Sequence, residues 1–89
     1  MRSKTTENFR RCFELLPSAV QDRARSSFRR FEADPRHGSL RFKRVHTTLP
    51  VFSVRVSKGY RAVAIREEEV LIWFWIGSHA DYETVIGGL

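Results

Sequence analysis

Cysteine occurs once in the 89 residues, at Cys12, so no internal disulfide and no cysteine-rich zinc site can be built. No apolar run approaches the roughly 20 residues that span a membrane. The longest, Val70 to Gly77, is the length of a strand. The charged N-terminus is not followed by an apolar stretch, which argues against a secretory signal. A cytoplasmic protein with no membrane partner is the expectation. Lysine is scarce as well: Lys4, Lys43 and Lys58 stand against thirteen arginines. There is no glycine-rich phosphate loop, dinucleotide fingerprint or nucleophile elbow. His37, His46 and His79 are far apart and no cysteine supports them, so neither a metal nor a cofactor is expected.

What remains is a chain of single-domain size, residues 1–89, whose 42% hydrophobic and 29% charged content is that of a globule rather than a disordered segment. The net charge is +6, and it is unevenly placed. Residues 1–44 hold twelve basic and five acidic side chains, whereas residues 45–89 hold four and five. A basic half rich in arginine, whose planar fork matches phosphate, suggests a polyanionic partner; a generally basic soluble surface is the plain alternative.

Two helices are predicted first. Phe9, Cys12, Phe13 and Leu16 form one helical stripe, with Thr5 or Thr6 as N-cap and Glu7 in the first turn. Pro17 opens a second helix as its first residue, with Val20, Ala24, Phe28 and Phe31 as its apolar face and Asp34-Pro35 as its end. Met1 to Lys4 is too brief a pattern to assign, although a short edge strand would fit. An extended segment begins over Leu40, Phe42 and Val45. Val51 to Ser57 then alternates, with Phe52, Val54 and Val56 on one face and Ser53, Arg55 and Ser57 on the other. Ser57-Lys58-Gly59 is a hairpin turn in which Gly59 can supply positive φ. Tyr60 to Arg66 is the next strand and Glu67-Glu68-Glu69 a second turn. Val70 to Ile76 is apolar on both faces, as a doubly covered strand is. A short helix over His79 to Ile86 follows, capped by Ser78. The fold class is α+β: an N-terminal helical hairpin packed on a small antiparallel meander, with a short C-terminal helix.

Arg55 and Arg61 flank the hairpin turn and can share a face, while His79 and Tyr82 are three apart and face one way on a helix. That set suits cleavage of an RNA phosphodiester. A histidine can move protons, arginines can hold phosphate and stabilise the charge of the transition state, and a tyrosine can stack on a base or pass a proton. Each residue has a plainer reading. His79 can cap the strand end, Tyr82 can be core, and Arg55 and Arg61 can pair with Glu67, Glu68 or Glu83 at the surface. Trp73, Phe74 and Trp75 read as core before they read as a stacking platform. The stretch from Arg36-His37 to His46 either tracks a phosphate backbone or is a solvated loop.

The segments Ser39-Leu40-Arg41-Phe42-Lys43, Phe52-Ser53-Val54-Arg55-Val56, Gly59-Tyr60-Arg61-Ala62 and Trp75-Ile76-Gly77-Ser78-His79-Ala80-Asp81-Tyr82, in that order, resemble the RelE/ParE superfamily of toxins from type II toxin–antitoxin systems. Leu16-Pro17 and Val20-Gln21 resemble the start of that family's helix, and the likeness runs from about Thr6 to Ile86. The resemblance implies a microbial-ribonuclease-like fold. RelE-like members cut messenger RNA on the ribosome, ParE-like members inhibit DNA gyrase, and an antitoxin holds either inactive. By position, Arg61 matches the strand arginine that grips phosphate, and Arg55 a basic strand residue of the ribonucleases. His79 falls at a general acid or charge stabiliser, and Tyr82 at the C-terminal tyrosine. Lys43 is a phosphate contact, with Arg41 and Arg44 beside it. The strand lacks the paired lysines of some members and any glutamate, so the general base is unassigned.

The resemblance, with His79 and Tyr82 favouring a ribonuclease over a gyrase inhibitor, implies a toxin of the RelE type: a metal-independent endoribonuclease acting on ribosome-bound messenger RNA, with a cognate antitoxin as partner. A gyrase inhibitor without catalysis and an inactive relative that keeps only the antitoxin-binding surface are the alternatives, because this fold hosts more than one activity.

Overall fold

The computed structural model describes residues 1–89. In chain order the elements are β1 (Arg2–Thr5), α1 (Glu7–Glu14), α2 (Ser18–Ala33), a 3-10 turn (Gly38–Leu40), β2 (Lys43–Arg44), β3 (Val51–Ser57), β4 (Tyr60–Glu67), β5 (Val70–Ser78) and α3 (His79–Gly87). The five strands form one sheet in the order β1-β5-β4-β3-β2. β3 to β5 are the expected antiparallel meander, and β2 adds a further antiparallel strand at its edge. The sheet is nevertheless mixed, because β1 runs parallel to β5, with Arg2 opposite Val70 and Thr5 opposite Trp73. Four mostly polar residues carry no period of their own. β1 is a strand because β5 offers it an open edge, and β5 thereby becomes the interior strand that its two apolar faces require.

Helix ends follow local chemistry. Thr6 is the cap of α1: its Oγ1 accepts from the Phe9 amide at 3.1 Å. Pro17 is the cap of α2 rather than its first residue, and its carbonyl accepts from the amides of Val20 and Gln21. Leu40 is not extended as expected. It closes a 3-10 turn in which His37 Nδ1 accepts from the Ser39 amide, and its side chain is buried. Arg41 then takes a left-handed backbone conformation, φ 47°. Gly59 does not use its conformational freedom. Positive φ occurs instead at Glu68, in the β4–β5 turn.

One layer of core lies between the helical hairpin and the sheet. Leu16, Ala24, Phe31 and Leu40 meet Val54, Val56, Ala62, Ala64, Leu71, Trp73 and Ile76 there. Phe31 is its centre, edge-on to both Phe42 and Trp73 at ring separations of 5.0 and 5.6 Å. Trp73 donates its indole N–H to Ser3 Oγ at 3.2 Å, which ties β1 to β5 through side chains as well. Phe28 departs from the expected apolar face. It is exposed at the rim of an open apolar trough of about 550 Å³ between α1, α2 and the sheet. The opposite sheet face carries a smaller core, in which Val51 and Val63 meet Tyr82 of α3. Bulges at Val56 and Phe74 shift the register of β3–β4 and β4–β5. No helix is long and apolar enough to cross a membrane.

Truncating Phe31 removes the ring that joins hairpin to sheet. Phe31→Ala is expected to cost about 3–5 kcal/mol of unfolding free energy, measured by urea denaturation.

Candidate functional site: a basic cleft between the sheet and the C-terminal helix

The strand register places the arginines. Arg55 on β3 lies directly opposite Arg61 on β4, and Arg61 lies opposite Gly77 on β5. Directly opposed residues project from the same face, so two cations stand side by side. Neither forms an ion pair; the carboxylates expected as surface partners do not reach them, and only Arg66 is paired in that region, with Glu69 at 3.6 Å. Like charges directly opposite destabilise a sheet, so this pair does not help to hold the strands together.

Arg61 is held from behind. Its Nη1 donates to the carbonyls of Ser57 and Tyr60, both at 2.9 Å, and to that of Lys58 at 3.4 Å. Burial lowers the pKa of its guanidinium below the ordinary value. The Arg55 charge acts in the same direction, Tyr82 opposes it, and Arg41 adds a smaller lowering. It is a cation at neutral pH all the same.

The turn that carries Arg61 also positions α3. The His79 amide donates to the Gly59 carbonyl at 2.8 Å, so the helix starts beside the β3–β4 hairpin. Ser78 caps the helix by accepting from the Asp81 amide. His79 and Tyr82 then stack obliquely, with ring centroids 5.6 Å apart. A cleft of about 420 Å³ results, and all seven side chains singled out from the sequence line it: Arg55, Arg61, His79 and Tyr82 with Arg41, Lys43 and Arg44. The trough on the other face is larger but mainly apolar, without a histidine or a cluster of cations on one side.

Within the cleft the seven are not equivalent. Tyr82 is 9% exposed, and its hydroxyl donates to Ser53 Oγ at 3.3 Å, so the ring is a wall of the cleft and not an open stacking face. The Arg44 guanidinium is occupied by the carbonyls of His46, Thr48 and Leu49, and it secures the loop from β2 to β3. His46 and His37 are loop caps too, each accepting from backbone amides. Arg41 reaches the cleft through its left-handed backbone, a conformation that costs a non-glycine residue on the order of 1 kcal/mol. Lys43 lies opposite Ser53 and shares the cleft face.

Two polar residues of the cleft, Ser53 and Glu83, lie outside those seven. Ser53 is the one buried polar residue, 2% exposed, and it holds the Tyr82 hydroxyl. Its place on the polar face of β3, beside Arg55, gives no sign of that burial. Glu83 is offered by the sequence alone as a surface partner for arginine. It instead places Oε1 3.8 Å from Nε2 of His79, at i,i+4 spacing.

A five-stranded mixed sheet with three helices is the fold of RelE-like toxins. The chain superposes on a chain of the RelB-RelE antitoxin–toxin complex from Methanococcus jannaschii with a TM-score of 0.73 at 10% identity, covering 91% of this chain and 95% of that one. It superposes on YafQ from E. coli with a TM-score of 0.73 at 9% identity, covering 92% and 98%. The isolated E. coli RelE toxin gives a TM-score of 0.62 at 18% identity, covering 99% and 98%. At such identities the likeness is one of fold. Family membership comes from the sequence itself: residues 18–84 match the ParE-like toxin domain, and the chain belongs to that family. It is a toxin of a toxin–antitoxin system in the RelE/ParE superfamily. No curated protein sequence matches it.

The buried Ser53–Tyr82 contact generates a prediction. Ser53→Ala and Tyr82→Phe are each expected to cost about 1 kcal/mol, and the double variant less than the sum by about 0.5–1 kcal/mol. Chemical denaturation of the four proteins measures this coupling; strict additivity would show that the hydroxyls do not interact.

Proposed function

We infer that this toxin is an endoribonuclease that cuts ribosome-bound messenger RNA with side-chain acid–base and phosphate-stabilising chemistry. The observation that carries the reading is the unpaired couple Arg55 and Arg61, opposed across β3 and β4 beside His79. A scissile phosphate would satisfy both guanidinium groups and remove the repulsion between them. Arg61 is oriented by three backbone carbonyls, which suits it to stabilise the charge that grows on the phosphorane. Arg41 and Lys43 would take flanking phosphates. In the reaction the 2′-oxygen bonds to phosphorus as the bond to the 5′-oxygen breaks. His79 delivers a proton to the 5′-oxygen, and the 2′-hydroxyl proton passes to water. Tyr82 supports the site as a wall, with its hydroxyl on Ser53. The likeness in fold to RelE and YafQ supports the reading without carrying it.

The partner would be an acidic antitoxin segment laid over the basic cleft and folding as it binds. Relatives of this fold are crystallised with RelB antitoxins, from Methanococcus jannaschii and Pyrococcus horikoshii among others.

The test is translation in a purified cell-free system, with message integrity followed by primer extension. Wild-type protein is expected to give discrete, ribosome-dependent cuts, which fall about 10²-fold or more in His79→Ala and in Arg61→Ala. Intact message with wild-type protein would overturn the reading and send the enquiry to a gyrase supercoiling assay. Antitoxin affinity is expected to fall roughly tenfold or more between 0.1 and 0.5 M salt. Salt-independent binding would show that the cleft's charge is not what the antitoxin covers.

A further inference from the structure

The nuclease reading leaves one charged side chain of the cleft without a task. Glu83 is the one carboxylate among the residues that line it. A carboxylate there repels the phosphate that Arg55 and Arg61 attract. Its Oε1 lies 3.8 Å from His79 Nε2, one helical turn back. Stability does not explain the pair. The two side chains are 46% and 69% exposed, and exposed pairs contribute little. The order is also the weaker one: the cation sits at the positive end of α3 and the anion one turn further on, against the helix dipole.

Reaction geometry narrows the role. In an in-line displacement the attacking and leaving oxygens lie on opposite sides of phosphorus. Two groups 3.8 Å apart therefore serve the same oxygen and do not divide base and acid between them. We propose that Glu83 is a positioning residue for His79, an inference that rests on the nuclease reading. The carboxylate takes the Nε2–H side of the ring. That fixes the tautomer and leaves Nδ1 for the reacting oxygen. The protonated ring gives its Nδ1 proton to the leaving 5′-oxygen and regains a proton from water. Glu83 offsets the charge of the imidazolium and touches no reacting atom, as a carboxylate behind a histidine does in other acid–base sites. Both side chains reach into solvent, so the present 3.8 Å closes to a hydrogen bond by rotation about single bonds.

The test uses Glu83→Gln in single-turnover cleavage on programmed ribosomes, and Glu83→Ala in ¹⁵N spectra of the His79 imidazole at a pH where the ring is neutral. The role predicts opposite movements. The cleavage rate constant falls about 10- to 100-fold, while half-saturation improves about two- to threefold because a repulsive charge has gone. A purely structural role would weaken both or neither. The wild-type ring is expected to be the Nε2–H tautomer, and Glu83→Ala to give a mixture. Wild-type cleavage matched by Glu83→Gln overturns the proposal and leaves the nuclease reading standing. An unchanged tautomer in Glu83→Ala overturns the pairing itself. Wild-type protein that cuts no message overturns the nuclease reading, and the proposed role with it.

Discussion

The ladder between β4 and β5 runs from Tyr60 opposite Ser78 to Glu67 opposite Val70, and both the core and the cleft hang on it. On one face it presents Ala62, Ala64, Leu71, Trp73 and Ile76 to the helical hairpin. On the other it supports Val63 against Tyr82. At its end it delivers the chain to Ser78, next to the turn where Gly59 accepts from the His79 amide. A one-residue slip of this register would turn Arg61 into the core and an apolar neighbour out to water, so core burial and site geometry are fixed by the same pairing.

The cleft works against the fold that carries it. Arg55 and Arg61 are opposed without an ion-pair partner, Arg41 holds a left-handed backbone, and Lys43 and Arg44 add further positive charge to the lining. A small domain has only a modest stability margin, on the order of 5–15 kcal/mol, so these features are offset elsewhere. Burial of Leu71, Val63, Leu40 and Val51 provides that offset, together with the backbone carbonyls that hold Arg61. An anionic partner, whether substrate or antitoxin, would relieve the repulsion on binding.

α3 joins core and cleft on one element. Tyr82 turns inward to Val51 and Val63, which anchors the helix. His79 and Glu83 flank it toward the cleft. A helix of nine residues is marginal in isolation, so the inward ring and the Ser78 cap set where the outward groups stand. The fold is shared with solved chains at 9–18% identity, so sheet and hairpin persist where most of the sequence differs.

Local periodicity determined a good deal. The alternation over Val51 to Ser57, the two-faced apolar run of β5 and the stripe of Phe9, Cys12, Phe13 and Leu16 are properties of short windows, and each became the element it implied. The arginines, His79 and Tyr82 could be selected because their chemistry is written in residue type, and the hairpin brought Arg55 and Arg61 together as their spacing required. What tertiary structure alone decided lies between distant segments. β1 acquired its strand from β5, across some seventy residues. Tyr82 found Ser53, and the Arg44 guanidinium was taken up by the loop carbonyls. Glu83 reached His79 and not an arginine, and Phe28 was left at the surface. Periods of 2.0 and 3.6 residues specify which face a side chain takes on its own element. They carry no information about what another element brings to that face, and that pairing was settled only when the sheet closed over the hairpin.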